Sequence, residues 1–363
     1  MPYDAARFTK LLAPTKTKQS MEKLRKLSPG DKVGVVSPSF AAPGHWPQVY
    51  ALGLARLRDI FGLVPVEYPS TCDLAATTKQ KSADLEAAFS DPTVKAVIAS
   101  LGGNIQVTYI HRLNPQIFVR HPKPFFGYSD NSHFANFLFL NGIPSYYGAS
   151  LFTQFAMQGA MDDFSVNYIR HALFNEGEIE LKPAENYNDI GLGWDDPKLL
   201  TSHREYEPND GWFWNGNTDT SGLLWGGCVE SVDEMLRHGV PIPSLQQFEN
   251  IVVMLETSED IPAASYVFRV IRSLGERGIL ARVQGVVMGR PKAWEFDKPY
   301  SADEKDIYRQ TQRDTVLDTV RQYNPKIPVV QNLDFGHTDP QIPMPYGGKV
   351  QLASSEQRIW VRF

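Results

Sequence analysis

The sequence predicts an α/β fold in two domains, and three observations carry the prediction. The chain has 363 residues, beyond the length at which one hydrophobic core usually divides. Short β-branched runs bounded by Gly and Pro alternate with helix-like stretches, the pattern of an open sheet with buried parallel strands. From about Asn175 to Asn217 the texture turns to Asn, Asp, Gly, Pro and Trp without sustained periodicity, which marks a long functional loop or linker. The expected divisions are an N-terminal extension over residues 1–27, a first α/β domain over 28–174, a linker and specificity loop over 175–217, and a second α/β domain over 218–363.

Taken in order, the first unit opens at the turn cluster Ser28-Pro29-Gly30-Asp31 and runs into the strand Lys32-Val33-Gly34-Val35-Val36-Ser37. Further strands are expected at residues 63–66, 96–100, 124–127 and 145–148, with helices at 48–60 and 82–89 between them. In the second unit strands are expected at 221–225, 251–255, 283–288, 327–330, 349–353 and 358–361, and helices at 229–238, 263–276 and 301–323. The chain contains no internal repeat, low-complexity tract or charge block.

Composition narrows the function classes. Hydrophobic residues make up 42% and charged residues 21% of the chain, ordinary for a globular enzyme. A net charge of -5 offers no footprint for nucleic acid or an anionic membrane surface. The two cysteines, Cys72 and Cys228, show no metal-ligand spacing, so neither a disulfide framework nor a zinc site is expected. Charges interrupt Met1 to Leu27 throughout, leaving no apolar core for a signal peptide, and no later segment has the apolar length of a membrane span. A cytoplasmic enzyme without metal or cofactor is the expectation.

The segment from Pro124 to Phe139 has the outline of a nucleophile turn: an apolar strand, Gly127, then Tyr128-Ser129-Asp130 and an apolar-faced helix. Ser129 falls at the carboxyl end of a strand, the edge where open α/β sheets bind ligands, with a helix N-terminus behind it. By pattern alone, a plain helix cap by Ser129 or Asp130 is an equally valid reading and the commoner one. The turn also lacks the Gly-x-Ser-x-Gly spacing of α/β-hydrolases. Two further places bear on the choice: Ile251 to Glu256 is an apolar strand ending in a carboxylate, and Asn332-Leu333-Asp334-Phe335-Gly336-His337 puts a histidine in a Gly-containing turn after a strand.

Together with the run at residues 27–39, Gly102-Gly103 and Leu224-Trp225-Gly226-Gly227, these ordered motifs resemble the S66 peptidases, the family of LD-carboxypeptidases and microcin-immunity serine peptidases. The resemblance runs from about Lys26 to the C-terminus. It implies a flavodoxin-like N-terminal parallel sheet with helices and a smaller C-terminal α/β domain of the swivelling β/β/α kind. It also implies a Ser–Glu–His triad: Ser129 as nucleophile, His337 as general base and acid, and Glu256 as the carboxylate that orients the imidazole. The oxyanion hole would be the backbone N–H groups of Gly103 and Asp130, with Gly102 allowing close approach and Asn104 beside the substrate.

Glu259 and Asp260 are alternatives to Glu256 as orienter, but their position beyond the strand end fits solvated or capping roles. Of the other histidines, His133 is nearest Ser129 in sequence, and a helix carries it one turn away. Asp334 can bond within its own turn. Cys228 stands where family members often carry Asn after the second Gly-Gly, and no adjoining basic residue would activate its thiol.

The long interval before Glu256, with Trp194, Trp212 and Trp214 in it, resembles the microcin-immunity branch, in which a tryptophan loop holds a nucleotide-like leaving group. Trp194 is then a stacking candidate, against the reading that these tryptophans only anchor the loop. The expected substrate is a small peptide or peptidyl-nucleotide, with muropeptide trimming as the alternative and a non-catalytic binding protein as the alternative of another class. The resemblance further implies a homodimer.

Overall fold

A computed structural model describes residues 21–363. Most of the expected N-terminal extension, residues 1–20, lies outside the described residues. Residues 21–27 run against the body: Glu22 N–H donates to the Gly142 carbonyl, Leu27 N–H to the Leu173 carbonyl, and the Lys26 ammonium to the Tyr146 hydroxyl at 2.9 Å.

Among the described residues, sixteen strands follow in chain order. They are Lys32–Val36 (β1), Val64–Glu67 (β2), Val94–Ala99 (β3), Phe125–Gly127 (β4), Ser145–Tyr147 (β5), Glu178–Leu181 (β6), Asn186–Tyr187 (β7), Glu207–Pro208 (β8), Phe213–Asn215 (β9) and Thr220–Cys228 (β10). Ile251–Glu256 (β11), Gly285–Gly289 (β12), Val329–Leu333 (β13), Met344–Tyr346 (β14), Lys349–Ala353 (β15) and Arg358–Arg362 (β16) complete the set. Apart from the small pair β7–β8, they form one sheet in the order β2-β1-β3-β4-β5-β14-β10-β11-β12-β13-β9, with β15, β16 and β6 branching from β10 as an antiparallel ribbon.

The fold is mixed α/β, as the alternation predicts, and both halves are built on parallel ladders. β1, β3 and β4 are buried almost throughout, and every residue of β11 is buried, as expected of strands covered on both faces, whereas the edge strand β2 has no buried residue. The helices that cover them carry their own punctuation. Thr77 and Gln80 form a reciprocal capping box at the start of Thr78–Ser90, Ser301 and Glu304 do the same for Ala302–Tyr323, and Gly239 closes Val229–His238 at φ 65°, a left-handed position that glycine takes without strain.

Two features depart from expectation. The halves are joined by hydrogen bonds as well as by chain, because β14 pairs antiparallel with β5 on one side and parallel with β10 on the other. The segment 175–217 also contributes ordered strands at both ends: β6 pairs with β16, and β9 pairs with β13. The Asn/Gly/Pro texture that reads as a linker belongs only to the middle of that segment. Among the described residues no helix is long and apolar enough to cross a membrane.

Candidate active site

Ser129 sits between the end of β4 and the helix Ser132–Leu140, in the left-handed region at φ 63°. A non-glycine residue pays about 1–3 kcal/mol for such a conformation and holds it only when its surroundings enforce it. Here both peptide groups of Ser129 are pinned. Its N–H donates to the Tyr147 hydroxyl at 3.1 Å, and its carbonyl accepts from Ser132 Oγ at 2.6 Å and Ser231 Oγ at 3.2 Å. A residue that merely capped the helix would need none of this, and the N-cap position of the helix Ser132–Leu140 is held by Asn131.

The glycine pair packs over this turn. A Cβ on Gly102 would stand 3.0 Å from Ser129 Cβ and 3.5 Å from Asp130 N, so only glycine lets the two loops approach this closely. Gly103 adopts φ 146°, and its N–H has no partner among the described residues. The Asp130 carboxylate ties the loops together by accepting the N–H groups of Ile105 at 3.1 Å and Gln106 at 3.2 Å. Asp130 is thus buried as a brace, with its amide in the first turn of the one-turn helix Ser129–Asn131, where no preceding turn supplies an acceptor. Burial pushes its carboxyl upward, only partly offset by His133.

Glu256 ends β11 and is fully buried. Its Oε2 lies 2.7 Å from His337 Nδ1, and its Oε1 accepts the Tyr147 hydroxyl at 2.5 Å. Tyr147 therefore links the Ser129 amide to the carboxylate that holds His337. A Cβ on Gly336, at φ 101°, would come within 2.6 Å of Glu256 Oε2, which is why the residue before His337 has to be glycine. The Tyr128 ring meets the His337 ring edge-on at 4.9 Å. Burial favours neutral imidazole, yet Glu256 and Glu259 outweigh it and hold His337 well above its ordinary 6.5.

Ser129, His337, Gly102, Gly103, Asn104 and Trp194 line one cleft of about 780 Å³. Trp194 both lines the cleft and packs on Trp46 and Phe152, at 4.7 and 5.4 Å between centroids. Trp212 donates to Asp334 Oδ2 at 2.9 Å and Trp214 packs against the core, so those two anchor the segment. Asp334 does not bond within its turn. It pairs with Arg290 at 2.6 Å and accepts the Ala184 N–H at 3.2 Å, reaching the neighbouring strand and the long segment.

His133 is off the site, buried between Asp130 and Glu234 at 3.6 and 3.1 Å. Cys228 is buried at the start of its helix, with burial and Glu230 pushing its thiol upward, as an unactivated cysteine should be. Glu259 does not orient Nδ1, and it is not a purely solvated group either: its Oε2 lies 3.0 Å from His337 Nε2. Sequence reasoning missed that contact and missed Tyr147, whose only signal was its place at a strand end among glycines.

Comparison with known proteins identifies related chains. Residues 33–148 match the family described as the LD-carboxypeptidase N-terminal domain, and residues 221–352 its C-terminal domain. "Putative carboxypeptidase YocD" of Bacillus subtilis is 26% identical over 345 residues, covering 93% of this chain and 98% of its own. The microcin C7 self-immunity protein MccF of Escherichia coli is 20% identical over 348 residues, covering 92% and 93%. Among solved structures, an MccF-like protein from Streptococcus pneumoniae in complex with AMP superposes with a TM-score of 0.79 at 24% identity, covering 92% of this chain and 98% of that one. At that identity the likeness establishes the fold.

Proposed function

The chain belongs to the S66 peptidase family, and on that premise we propose that it is a serine hydrolase whose nucleophile is Ser129, with His337 as base and Glu256 as its orienting partner. The observation that carries this reading is the hydrogen-bonded path from the Ser129 amide through Tyr147 to Glu256 and His337, attached to a serine held at φ 63°. In the reaction, Ser129 Oγ bonds to the substrate carbonyl carbon as its proton passes to His337 Nε2. The oxyanion meets the N–H groups of Gly103 and Asp130. Collapse breaks the amide, and His337 gives the proton to the leaving nitrogen. A water molecule, deprotonated by the same imidazole, then hydrolyses the acyl-enzyme.

The favoured substrate class is the amide of a peptidyl-nucleotide or acyl-adenylate. Its support is Trp194, an aromatic face carried to the cleft by the long segment, together with the AMP bound by the pneumococcal MccF-like protein. The second reading, removal of a terminal residue from muropeptides, draws on the LD-carboxypeptidase description of both matching domains.

One experiment tests the chemistry and separates the substrates. Purified protein is offered an aminoacyl-sulfamoyl-adenosine and a muropeptide tetrapeptide in parallel, as wild type and as Ser129→Ala. Cleavage of the nucleoside compound is expected, lost by a factor of roughly 10³ or more in the variant while binding persists. Wild-type turnover by Ser129→Ala would refute the nucleophile, and preferential release of D-alanine would overturn the substrate class.

A further inference from the structure

The nitrogen of His337 that proton transfer requires is already engaged. Nε2 lies 3.0 Å from Glu259 Oε2 while Nδ1 lies 2.7 Å from Glu256 Oε2, so carboxylates grip the ring at both ends. A neutral imidazole has one N–H to give, and only the imidazolium satisfies both acceptors. An imidazolium cannot take the Ser129 proton.

The two carboxylates differ in what else holds them. Glu256 is fully buried and bonded to Tyr147. Glu259 follows the end of β11 with 53% of its side chain exposed, and His337 is its one ion-pair partner among the described residues. The cations that line the cleft are committed elsewhere: Arg204 pairs with Asp339, and Lys292 with Glu295 at 2.6 Å. A cationic group entering the cleft therefore meets Glu259 as an accessible anion beside the reacting atoms.

We propose that Glu259 is a specificity residue of this cleft, which docks a primary ammonium group next to the scissile carbonyl and, in turning to it, releases His337 Nε2 for Ser129. The proposal rests on the serine-hydrolase reading given above. As Glu259 exchanges one cation for the other, the imidazolium loses its Nε2 proton to water, and the freed lone pair becomes available to accept a proton in the cleft that Ser129 also lines. Substrates that carry a free amino group on the acyl residue switch the base on. N-acylated analogues of the same shape leave it latched.

The electrostatics agree with the geometry. Partial desolvation at the cleft wall pushes the Glu259 carboxyl up, but the charge and hydrogen bond of His337 bring it down to about 2, while Glu256 and Glu259 together raise His337. Of the other charged groups that line the cleft, Asp339 and Lys292 are paired with Arg204 and Glu295, Asp189 with Lys305 and Arg309, Asp195 accepts the Trp46 indole, and Asp260 follows Glu259.

The test reads the His337 imidazole directly by NMR pH titration of the full chain labelled at histidine nitrogen, in the Ser129→Ala background so that probes stay uncleaved. Glu259→Gln is expected to lower the His337 midpoint by about one unit or more, about tenfold in its proton dissociation constant. Asp260→Asn, which removes a neighbouring charge that does not touch the ring, leaves the midpoint in place. An aminoacyl-sulfamoyl-adenosine with a free α-amine lowers the midpoint when Glu259 is present, whereas its N-acetyl derivative does not.

In the otherwise wild-type enzyme the ratio of kcat/KM for the two probes favours the free amine, and Glu259→Gln collapses that ratio. A His337 midpoint unmoved by Glu259→Gln would overturn the latch. Equal shifts from both probes, or from neither, would overturn the ammonium subsite. Because the titration does not depend on turnover, these outcomes are distinct from a failure of the hydrolase reading, which Ser129→Ala kinetics decide separately.

Discussion

At the scale of single residues, the site is governed by a proton that His337 holds too well. Its ordinary value near 6.5 is raised by Glu256 and Glu259 against the effect of burial, so the free enzyme carries an imidazolium at pH values where an unperturbed histidine is neutral. In the proposed mechanism only the neutral form accepts the Ser129 proton, and kcat/KM is therefore expected to rise with pH along a limb whose midpoint lies above 6.5. The pH–rate profile of a free-amine substrate checks this, and a midpoint at or below that value would contradict the ion pairs. Stability has the opposite sign. A raised histidine contributes fully below its unfolded value and loses that contribution as pH climbs through the folded value. On the proposed mechanism the protein thus gains its base and loses part of the clamp on the His337 turn over the same pH interval. Tyr147 softens the conflict, because its bond to Glu256 Oε1 keeps that carboxylate in place when the imidazole is uncharged.

At the scale of elements, legibility followed the length of the apolar runs. Strands such as Lys32–Val36 and Ile251–Glu256, with their apolar runs, Arg358–Arg362, with its alternation, and the helix Val229–His238, with its closing glycine, announce themselves in the sequence. β14 does not, since it has three residues with Pro345 at its centre, a composition that argues against a sheet interior. β6 and β9 are hidden for another reason. Each borders a tract of loop-forming residues, and each is ordered by a distant partner, β16 or β13, that no local pattern reveals. The candidate residues could be picked out because Glu256 ends an apolar strand, because Ser129 and His337 follow strands in Gly-containing turns, and because these motifs in order resemble one family. The Glu259 contact could not, because a side chain crossing from a loop to a ring leaves no periodicity.

Asp334 shows how an element is held by what the sequence conceals. It receives Arg290 at the end of β12, the Trp212 indole and the Ala184 amide, joining the His337 turn to the long segment that carries Trp194. Asp334→Ala would leave Arg290, which is 1% exposed, charged and unpaired. The expected loss is about 3–5 kcal/mol, measured by chemical denaturation with Trp fluorescence. A loss below about 1 kcal/mol, the range of an exposed pair, would mean that water reaches Arg290.

At the scale of the whole molecule, the question is whether the halves are independent. Matches to an N-terminal and a C-terminal domain suggest two cooperative units, as does the chain length. The packing argues otherwise. The largest apolar cluster includes Tyr128, Phe139, Tyr147 and Tyr168 from the first half together with Trp225, Val253 and Val287 from the second, and the sheet crosses the boundary through β5, β14 and β10. Separating the halves would break those ladders, strip the shared cluster and break the Tyr147–Glu256 bond. The cost of exposing such a surface exceeds what a small interdomain contact carries, so equilibrium unfolding is expected to be a single transition. Far-UV circular dichroism reports the whole sheet, and tryptophan fluorescence reports both Trp46 in the first half and Trp225 in the second. Their denaturation curves should coincide with one midpoint. Two resolved midpoints would show that the interface opens before either half unfolds, and would make the relative motion of the halves a variable in bringing Ser129 to His337.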